Sequence, residues 1–114
     1  MKSIFGLNEN VAAALSYILG PFSGIAVLVM ERENKFVRFH ALQSTLWFLF
    51  IMVVGWILAI FSNIPILGIL INPLLGIGGL IAVISALFLM FKAYSNETFK
   101  LPIIGDVSWS QINK

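Results

Sequence analysis

The sequence predicts an all-α integral membrane bundle of about three transmembrane helices, the first of them kinked. The chain has 114 residues, of which 60% are hydrophobic and 11% charged, and its mean hydropathy is +1.00. Soluble proteins are about 25% charged. No charged residue lies between Asn10 and Met30 or between Ala41 and Phe91. Because about 20 apolar residues of helix cross a bilayer, the first stretch accommodates one span and the second two.

The first predicted helix covers residues 10–30 and is interrupted at Gly20-Pro21. Proline lacks a backbone donor and its ring clashes with the carbonyl four residues earlier, that of Tyr17. In lipid, the freed backbone groups need partners from a neighbouring helix or a nearby serine such as Ser23. The helix is therefore either a kinked span or a re-entrant hairpin that returns to the side it entered from. Its length and the lack of a small-residue cleavage site argue against a signal peptide.

The second helix begins near Lys35, in a charged loop, and the third follows Asn72-Pro73. We expect the apolar residues 64–71 to form a short interfacial piece, and the C-terminal tail to be extended at the membrane surface. The predicted single transmembrane domain, residues 1–114, comprises spans at about 10–30, 41–61 and 74–93, a polar loop at 31–40 and the tail at 95–114.

The distribution of Lys and Arg predicts the orientation in the cell membrane. With three spans, the loop and the tail share one side and carry six of these residues, against Lys2 alone at the N-terminus. Positively charged loops stay in the cytoplasm. The loop at 31–40 and the C-terminus are therefore predicted to be cytoplasmic and the N-terminus external, unless the first helix is re-entrant and the N-terminus joins the cytoplasmic side.

Small residues recur at helical spacing on each predicted helix. Such residues let helix backbones approach closely in lipid, where no hydrophobic force drives helices together. The packing could be internal, or it could serve a homo-oligomer or another membrane protein. The candidate helix-packing residues are Gly20, Gly24, Gly55, Gly78 and Ala82.

A group of polar residues lies at the start of the second helix. At helical pitch His40, Gln43 and Ser44 share one face, whereas Arg38 projects from roughly the opposite side. Polar side chains at membrane depth usually face protein or a cavity. This group is either interfacial structure or an interaction site. We expect its partners to be backbone groups freed at the Gly20-Pro21 break, or the charges of Glu31 and Asp106.

The sequence contains no pattern typical of an enzyme or a cofactor site. It lacks a nucleophile with a paired base, a zinc-protease motif and a phosphate-binding glycine loop. With no cysteine and one histidine, a metal site is not predicted. The net charge of +2 is too small and dispersed to indicate nucleic-acid binding. The partners that the sequence indicates are the lipid bilayer and other membrane-protein chains.

Three phrases stand out in the sequence, at residues 15–21 (LSYILGP), 36–44 (FVRFHALQS) and 99–106 (FKLPIIGD). Together they resemble a family of small, uncharacterised prokaryotic membrane proteins. That family is similar to the import component of the Tic translocon of the chloroplast inner envelope. The resemblance implies a membrane location and a fold more than an activity. The most specific part of the resemblance is Arg38-x-His40-Ala41-x-Gln43.

Two functional classes are consistent with these observations. The first is a non-enzymatic membrane module, either a scaffold or a subunit of a membrane assembly, with a link to protein insertion or import that the resemblance implies. The second is a small transporter or channel formed by oligomerisation. A conducting pathway needs polar lining residues, and the predicted spans offer few. The sequence therefore favours the module.

Overall fold

The computed structural model describes residues 6–113, and in this part of the chain all regular secondary structure is helical. The molecule is elongated, measuring 53 × 25 × 22 Å. Within the described residues, two helices, α3 and α4, are long and apolar enough to cross a membrane. The structure thus has two helices of spanning length where the sequence predicted about three. The helices are α1 (Glu9–Leu15), α2 (Pro21–Met30), α3 (Lys35–Phe61), α4 (Pro65–Tyr94) and α5 (Ile104–Ile112).

Helices α3 and α4 form a long antiparallel hairpin. Helix α3 begins where the Asn34 side chain accepts a hydrogen bond from the Val37 N–H, an N-cap that satisfies one of the free donors of the first turn. It ends at a short turn of residues 62–64. Helix α4 then begins with Pro65 at its first position, where the missing proline donor costs nothing.

Helix α4 continues through Pro73, so the prediction of a separate interfacial piece at residues 64–71 is wrong. A proline inside a helix removes one hydrogen bond, here to the carbonyl of Ile69. Ending the helix in lipid would leave several backbone groups without partners, which is far more costly. The helix therefore tolerates the proline.

The break expected at Gly20-Pro21 is complete. Helix α1 ends at Leu15, residues 16–20 form a turn, and Gly20 has a φ of 64° that helical residues cannot adopt. Helix α2 then runs back along α3. The region predicted as one kinked span is therefore a pair of short helices.

The ends of this pair lie at the same end of the molecule. The Asn34 side chain, just before α3, donates a 2.8 Å hydrogen bond to the carboxylate of Glu9 at the start of α1. The turn between the two helices lies beside Phe48, roughly 20 Å further along α3. The two short helices thus form a hairpin whose two ends both lie beside the start of α3.

The tail folds back on α3 and ends in a helix, so the prediction of an extended tail is wrong. The side chain of Trp109 packs edge-on against Phe39, with ring centroids 5.8 Å apart, and Ser108 is fully buried. Gly105 lies against the backbone of Lys100, where a larger residue would collide. A helix forms because α3 supplies an apolar surface on which one face of α5 is buried.

Two regions of the molecule differ in their surroundings. In the packed end, residues 6–48 and 85–113, the helices α1, α2 and α5 surround the start of α3 and the end of α4, and all the described charged residues lie here. In the bare hairpin, residues 49–84, nearly all apolar side chains are exposed. Exposed apolar surface of this extent is typical of contact with lipid or protein.

Candidate functional site

The centre of the packed end is a buried histidine that joins three segments. His40 on α3 is fully buried, and its Nδ1 atom lies 2.7 Å from the hydroxyl of Tyr17, in the turn between α1 and α2. Its Nε2 atom lies 2.9 Å from the backbone carbonyl of Glu97, in the tail. Both ring nitrogens are thus bonded within the chain.

Gln43, one turn further along α3, is also fully buried and binds the tail through both ends of its amide. Its Oε1 atom accepts a hydrogen bond from the Leu101 N–H (2.9 Å). Its Nε2 atom donates to the Phe99 carbonyl (2.9 Å) and to the Tyr17 hydroxyl (3.0 Å). The amide therefore replaces the missing backbone partners of an irregular segment.

The donors and acceptors of this cluster determine where its protons lie. A carbonyl can only accept, so the Nε2 atom of His40 must carry the proton that is donated to Glu97. Because an uncompensated charge is costly to bury, the histidine is neutral and its Nδ1 atom carries a lone pair. The Tyr17 hydroxyl therefore donates to Nδ1, while its oxygen accepts from Gln43, so that each ring nitrogen has one complementary partner.

A second set of contacts satisfies the backbone at the break between α1 and α2. The Ser44 hydroxyl donates to the carbonyl of Ser16 (2.6 Å). The Ser23 hydroxyl donates to the same carbonyl (3.0 Å) and accepts from the Leu19 N–H (3.0 Å). These are the partners that a helix break in lipid requires, and Ser44 links them to α3.

Arg38 and Glu31 organise the loop between α2 and α3. One guanidinium nitrogen of Arg38 donates to the carbonyls of Leu28 (3.1 Å) and Glu31 (2.6 Å), which lie at the end of α2. The Glu31 carboxylate accepts from the backbone N–H groups of Glu33 and Asn34. Arg38 thus neutralises the negative end of α2.

The structure brings together some of the site residues that the sequence predicted and separates others. His40, Gln43 and Ser44 form one cluster, and Arg38 and Glu31 form an adjoining loop cap. Asp106 is exposed on α5 and takes no part in either group. Of the two kinds of partner expected, Ser44 binds a backbone carbonyl freed at the break, that of Ser16, and the tail contributes backbone groups in place of the Asp106 carboxylate. The physical reason is that an irregular segment has free backbone donors and acceptors to offer.

Sequence reasoning missed Tyr17 as the residue that connects the cluster. Tyr17 is 1% exposed, and its hydroxyl contacts both His40 and Gln43. The available signal was a polar aromatic residue four positions before a proline that breaks an apolar helix. A buried tyrosine hydroxyl needs a hydrogen-bonding partner, and two lie on the facing helix.

The small residues predicted to pack helices fall into two groups. Gly24 on α2 lies against Thr45 and the Ala41 carbonyl of α3, where a Cβ atom would come within 3.0 Å of that carbonyl. Gly20 contacts Phe48. In contrast, a Cβ atom at Gly55 or Gly78 would meet nothing within 4 Å, and Ala82 is half-buried. Close packing within this chain is formed at Gly24 but not at Gly55 or Gly78.

A cavity of about 300 Å³ lies between α3 and α4 within the bare hairpin. It is open on one side, and its lining is almost entirely apolar. The lining includes Gly55 and Gly78 together with Trp47, Phe50, Ile51, Val54, Leu58, Leu74, Leu75, Gly79 and Ile81.

Neither the buried cluster around His40 nor the apolar cavity has the composition of a metal site. In the part of the chain that the structure describes, no three His, Asp or Glu side chains come together to bind an ion. The buried cluster instead uses its polar atoms on one another and on the backbone. Its chemistry is that of a hydrogen-bonded clasp between the α1–α2 turn, α3 and the tail.

Comparisons of the sequence with known proteins find relatives among membrane proteins. Residues 8–108 match the profile of the magnetosome magnetite crystal formation protein family. The chain is 50% identical over 107 residues to a UPF0132 membrane protein of Archaeoglobus fulgidus, covering 93% of this chain and 97% of that protein. It is 41% identical over 107 residues to a UPF0132 membrane protein of Methanocaldococcus jannaschii, covering 94% and 91%. No solved structure matches the chain.

Proposed function

The chain belongs to the magnetosome magnetite crystal formation protein family, and from this premise we propose that it is a non-enzymatic subunit of a membrane assembly. Its relatives are named as membrane proteins, and this chain is a membrane protein as well. The observation that carries the proposal is the clasp at His40 and Gln43. The hydrogen bonds of this clasp hold the tail, and with it α5, against α3. The packed end therefore has a defined surface.

The proposed arrangement in the membrane has two spans, α3 and α4, with α1 and α2 as a re-entrant hairpin. The tip of the hairpin exposes Ile18 (54%), Leu19 (68%) and Phe22 (71%). Such apolar side chains suit lipid and would be unfavourable in water. All the described Lys and Arg residues lie at the packed end, and the positive-inside rule supports a cytoplasmic location for that end in the proposed arrangement.

A module is better supported than a transporter or channel. The polar side chains at the start of α3 point into the packed end and are bonded there. The cavity between the two spans is apolar and offers no hydrogen-bonding groups to a polar solute. A transport pathway would require a polar surface that only an oligomer could supply.

The surface proposed to bind a partner is the outer face of the packed end. It carries charges of both signs in the loop before α3, in the tail and on α5, and such mixed surfaces favour specificity and orientation in binding. The exposed charged residues are Arg32, Glu33, Lys35, Glu97, Lys100 and Asp106.

The resemblance to the Tic component implies protein insertion or import, whereas the relatives are named simply as membrane proteins. The family description names magnetite crystal formation. The role proposed for this chain is structural, because the buried cluster binds the chain's own tail.

Photocrosslinking in native membranes tests the proposal. A photoreactive amino acid replaces Lys35 or Asp106 at the packed end, or Asn63 in the turn between α3 and α4 as a control. We expect Lys35 and Asp106 to crosslink to the same partner protein and Asn63 not to do so. A second arm measures ion and solute flux in vesicles containing purified protein. Flux together with crosslinks to further copies of the chain would overturn the proposal in favour of a pore.

A further inference from the structure

The molecule tapers from the packed end to the bare hairpin. At the packed end, Gly24 of α2 lies against Thr45 of α3, and Asn10 at the start of α1 donates a 2.8 Å hydrogen bond to the carbonyl of Tyr94 at the end of α4. Helix α5 packs beside the start of α3. Beyond Phe48, no residue of α3 is buried. The described chain is therefore four to five helices wide at one end and two at the other.

The pair of short helices, α1 and α2, reaches into one half of the bilayer thickness. The uncharged part of α3, from Ala41 to its end at Phe61, is roughly 30 Å long and corresponds to a whole hydrocarbon core. The turn between α1 and α2 lies beside Phe48, roughly 10 Å past Ala41. The midplane lies at roughly 15 Å. The pair therefore widens the chain in one leaflet only.

The outer face of α2 is suited to hydrocarbon along its length. Phe22, Ile25 and Val29 lie on one face of the helix at helical spacing, and all three side chains are exposed. No charged residue lies between Asn10 and Met30. In the proposed arrangement, the pair therefore displaces acyl chains of its own leaflet.

The two halves of the chain displace different areas of lipid. An α-helix with its side chains is about 10–12 Å across, so four helices occupy roughly 400 Å² of one leaflet and two occupy roughly 200 Å² of the other. Glycines narrow the bare hairpin further. A Cβ atom at Gly55, Gly76 or Gly79 would meet no other atom within 4 Å.

From the one-sided helix pair and the difference in area, we propose that this chain prefers a curved bilayer, with the packed end on the convex side. Bending spreads the lipids of the convex leaflet and crowds those of the concave one. Segments that insert into one leaflet are sensitive to this curvature. The inference rests on the two-span arrangement proposed above and adds to it a preference for membrane shape.

Orientation in vesicles of two sizes tests the proposal. The natural chain has no cysteine, so Lys35→Cys reports the packed end and Asn63→Cys reports the turn between α3 and α4. Each variant is reconstituted, at no more than one chain per vesicle, into small sonicated and large extruded vesicles of dioleoylphosphatidylcholine, and is treated with a membrane-impermeant thiol reagent. We expect the ratio of outward to inward packed ends to be at least threefold higher in the small vesicles.

Two bulky variants separate the taper from other causes of orientation. Gly76→Trp combined with Gly79→Trp widens the bare hairpin at two exposed positions that have no neighbours to clash with. Ala26→Trp adds the same kind of side chain at an exposed position of α2, in the packed end. We expect the effect of vesicle size to fall by at least a third in the first variant and not to fall in the second.

Equal orientation ratios in small and large vesicles would overturn the proposal, as would an equal loss of the size effect in both bulky variants. Chains that remain paired at this dilution, counted by photobleaching, would also overturn it, because a second copy would then fill out the narrow half. Failure of the two-span arrangement is recognised separately in intact cells, where Asn8→Cys and Lys35→Cys would react on opposite sides. The vesicles contain no other protein, so the result is independent of the proposed partner surface.

Discussion

The hydroxyl of Tyr17 lies 2.7 Å from Nδ1 of His40, although 23 residues separate them in the chain. This contact exists because α1 breaks at residue 15 and its continuation turns back, which brings the turn against α3. The tail then binds the opposite nitrogen of the same ring through Glu97. One imidazole therefore joins the α1–α2 turn to the tail.

Removal of the Tyr17 hydroxyl should destabilise the packed end. In Tyr17→Phe, Nδ1 of His40 loses its donor, and one N–H of Gln43 loses its acceptor while remaining buried. Unsatisfied buried groups cost about 1–3 kcal/mol each, and hydrogen bonds in membranes are at the low end of that range. We expect the free energy of unfolding in detergent to fall by about 1–3 kcal/mol. Tyr94→Phe, at an exposed side chain, is the control and should unfold like the parent.

Loss of the clasp should release the tail without affecting insertion. In Gln43→Ala, three hydrogen bonds to Tyr17, Phe99 and Leu101 disappear. We expect trypsin to cleave after Lys100 at least several times faster than in the parent, whereas the amount of protein in the membrane stays the same. The matched control is Gln111→Ala, on the exposed side of α5.

The same variant separates two interpretations of the cluster. If Gln43→Ala leaves tail cleavage unchanged but abolishes a co-purifying partner, the cluster is a partner-binding surface. If neither property responds, the motif serves only as an interfacial anchor. His40→Ala should behave like Gln43→Ala, because it also removes a bond to the tail.

Single cysteines should distinguish the re-entrant arrangement from three spans. The natural chain contains no cysteine, so each introduced thiol is unique. We expect Asn8→Cys, Lys35→Cys and Lys100→Cys to react with a membrane-impermeant thiol reagent only after cells are opened, and Asn63→Cys to react in intact cells. Labelling of Asn8→Cys in intact cells, with Lys35→Cys protected, would establish three spans instead.

The effect of a glycine substitution on stability should depend on what surrounds the glycine. Gly24→Ile forces a side chain against Thr45 and the Ala41 carbonyl, and overpacking of this kind costs about 1–3 kcal/mol. Gly78→Ile projects into open space and should change the melting temperature in detergent little. The sequence pattern alone placed Gly78 beside Gly24 among the candidate helix-packing residues. Equal melting temperatures for both variants would show that α2 does not pack tightly on α3.

Helix α5 in the tail could not be predicted from the sequence. The composition of residues 95–113 is mixed and polar, with Pro102 and Gly105 as turn formers, and these properties do not indicate a helix. Helix α5 is short and depends on burial against Phe39 through Trp109. Short helices take most of their stability from such tertiary contacts. A local pattern could therefore not predict α5, because the surface that stabilises it lies more than 60 residues away.

By itself the sequence determined the all-helical class, the break at Gly20-Pro21 and the shared face of His40, Gln43 and Ser44 on α3. These properties follow from hydrophobicity, proline geometry and helical periodicity, which act over a few neighbouring residues. Only the tertiary structure decided that the broken helix turns back, that Tyr17 joins the cluster and that Gly78 borders a cavity. Each of these depends on where distant segments meet, and in lipid that is decided by which backbone groups remain to be satisfied.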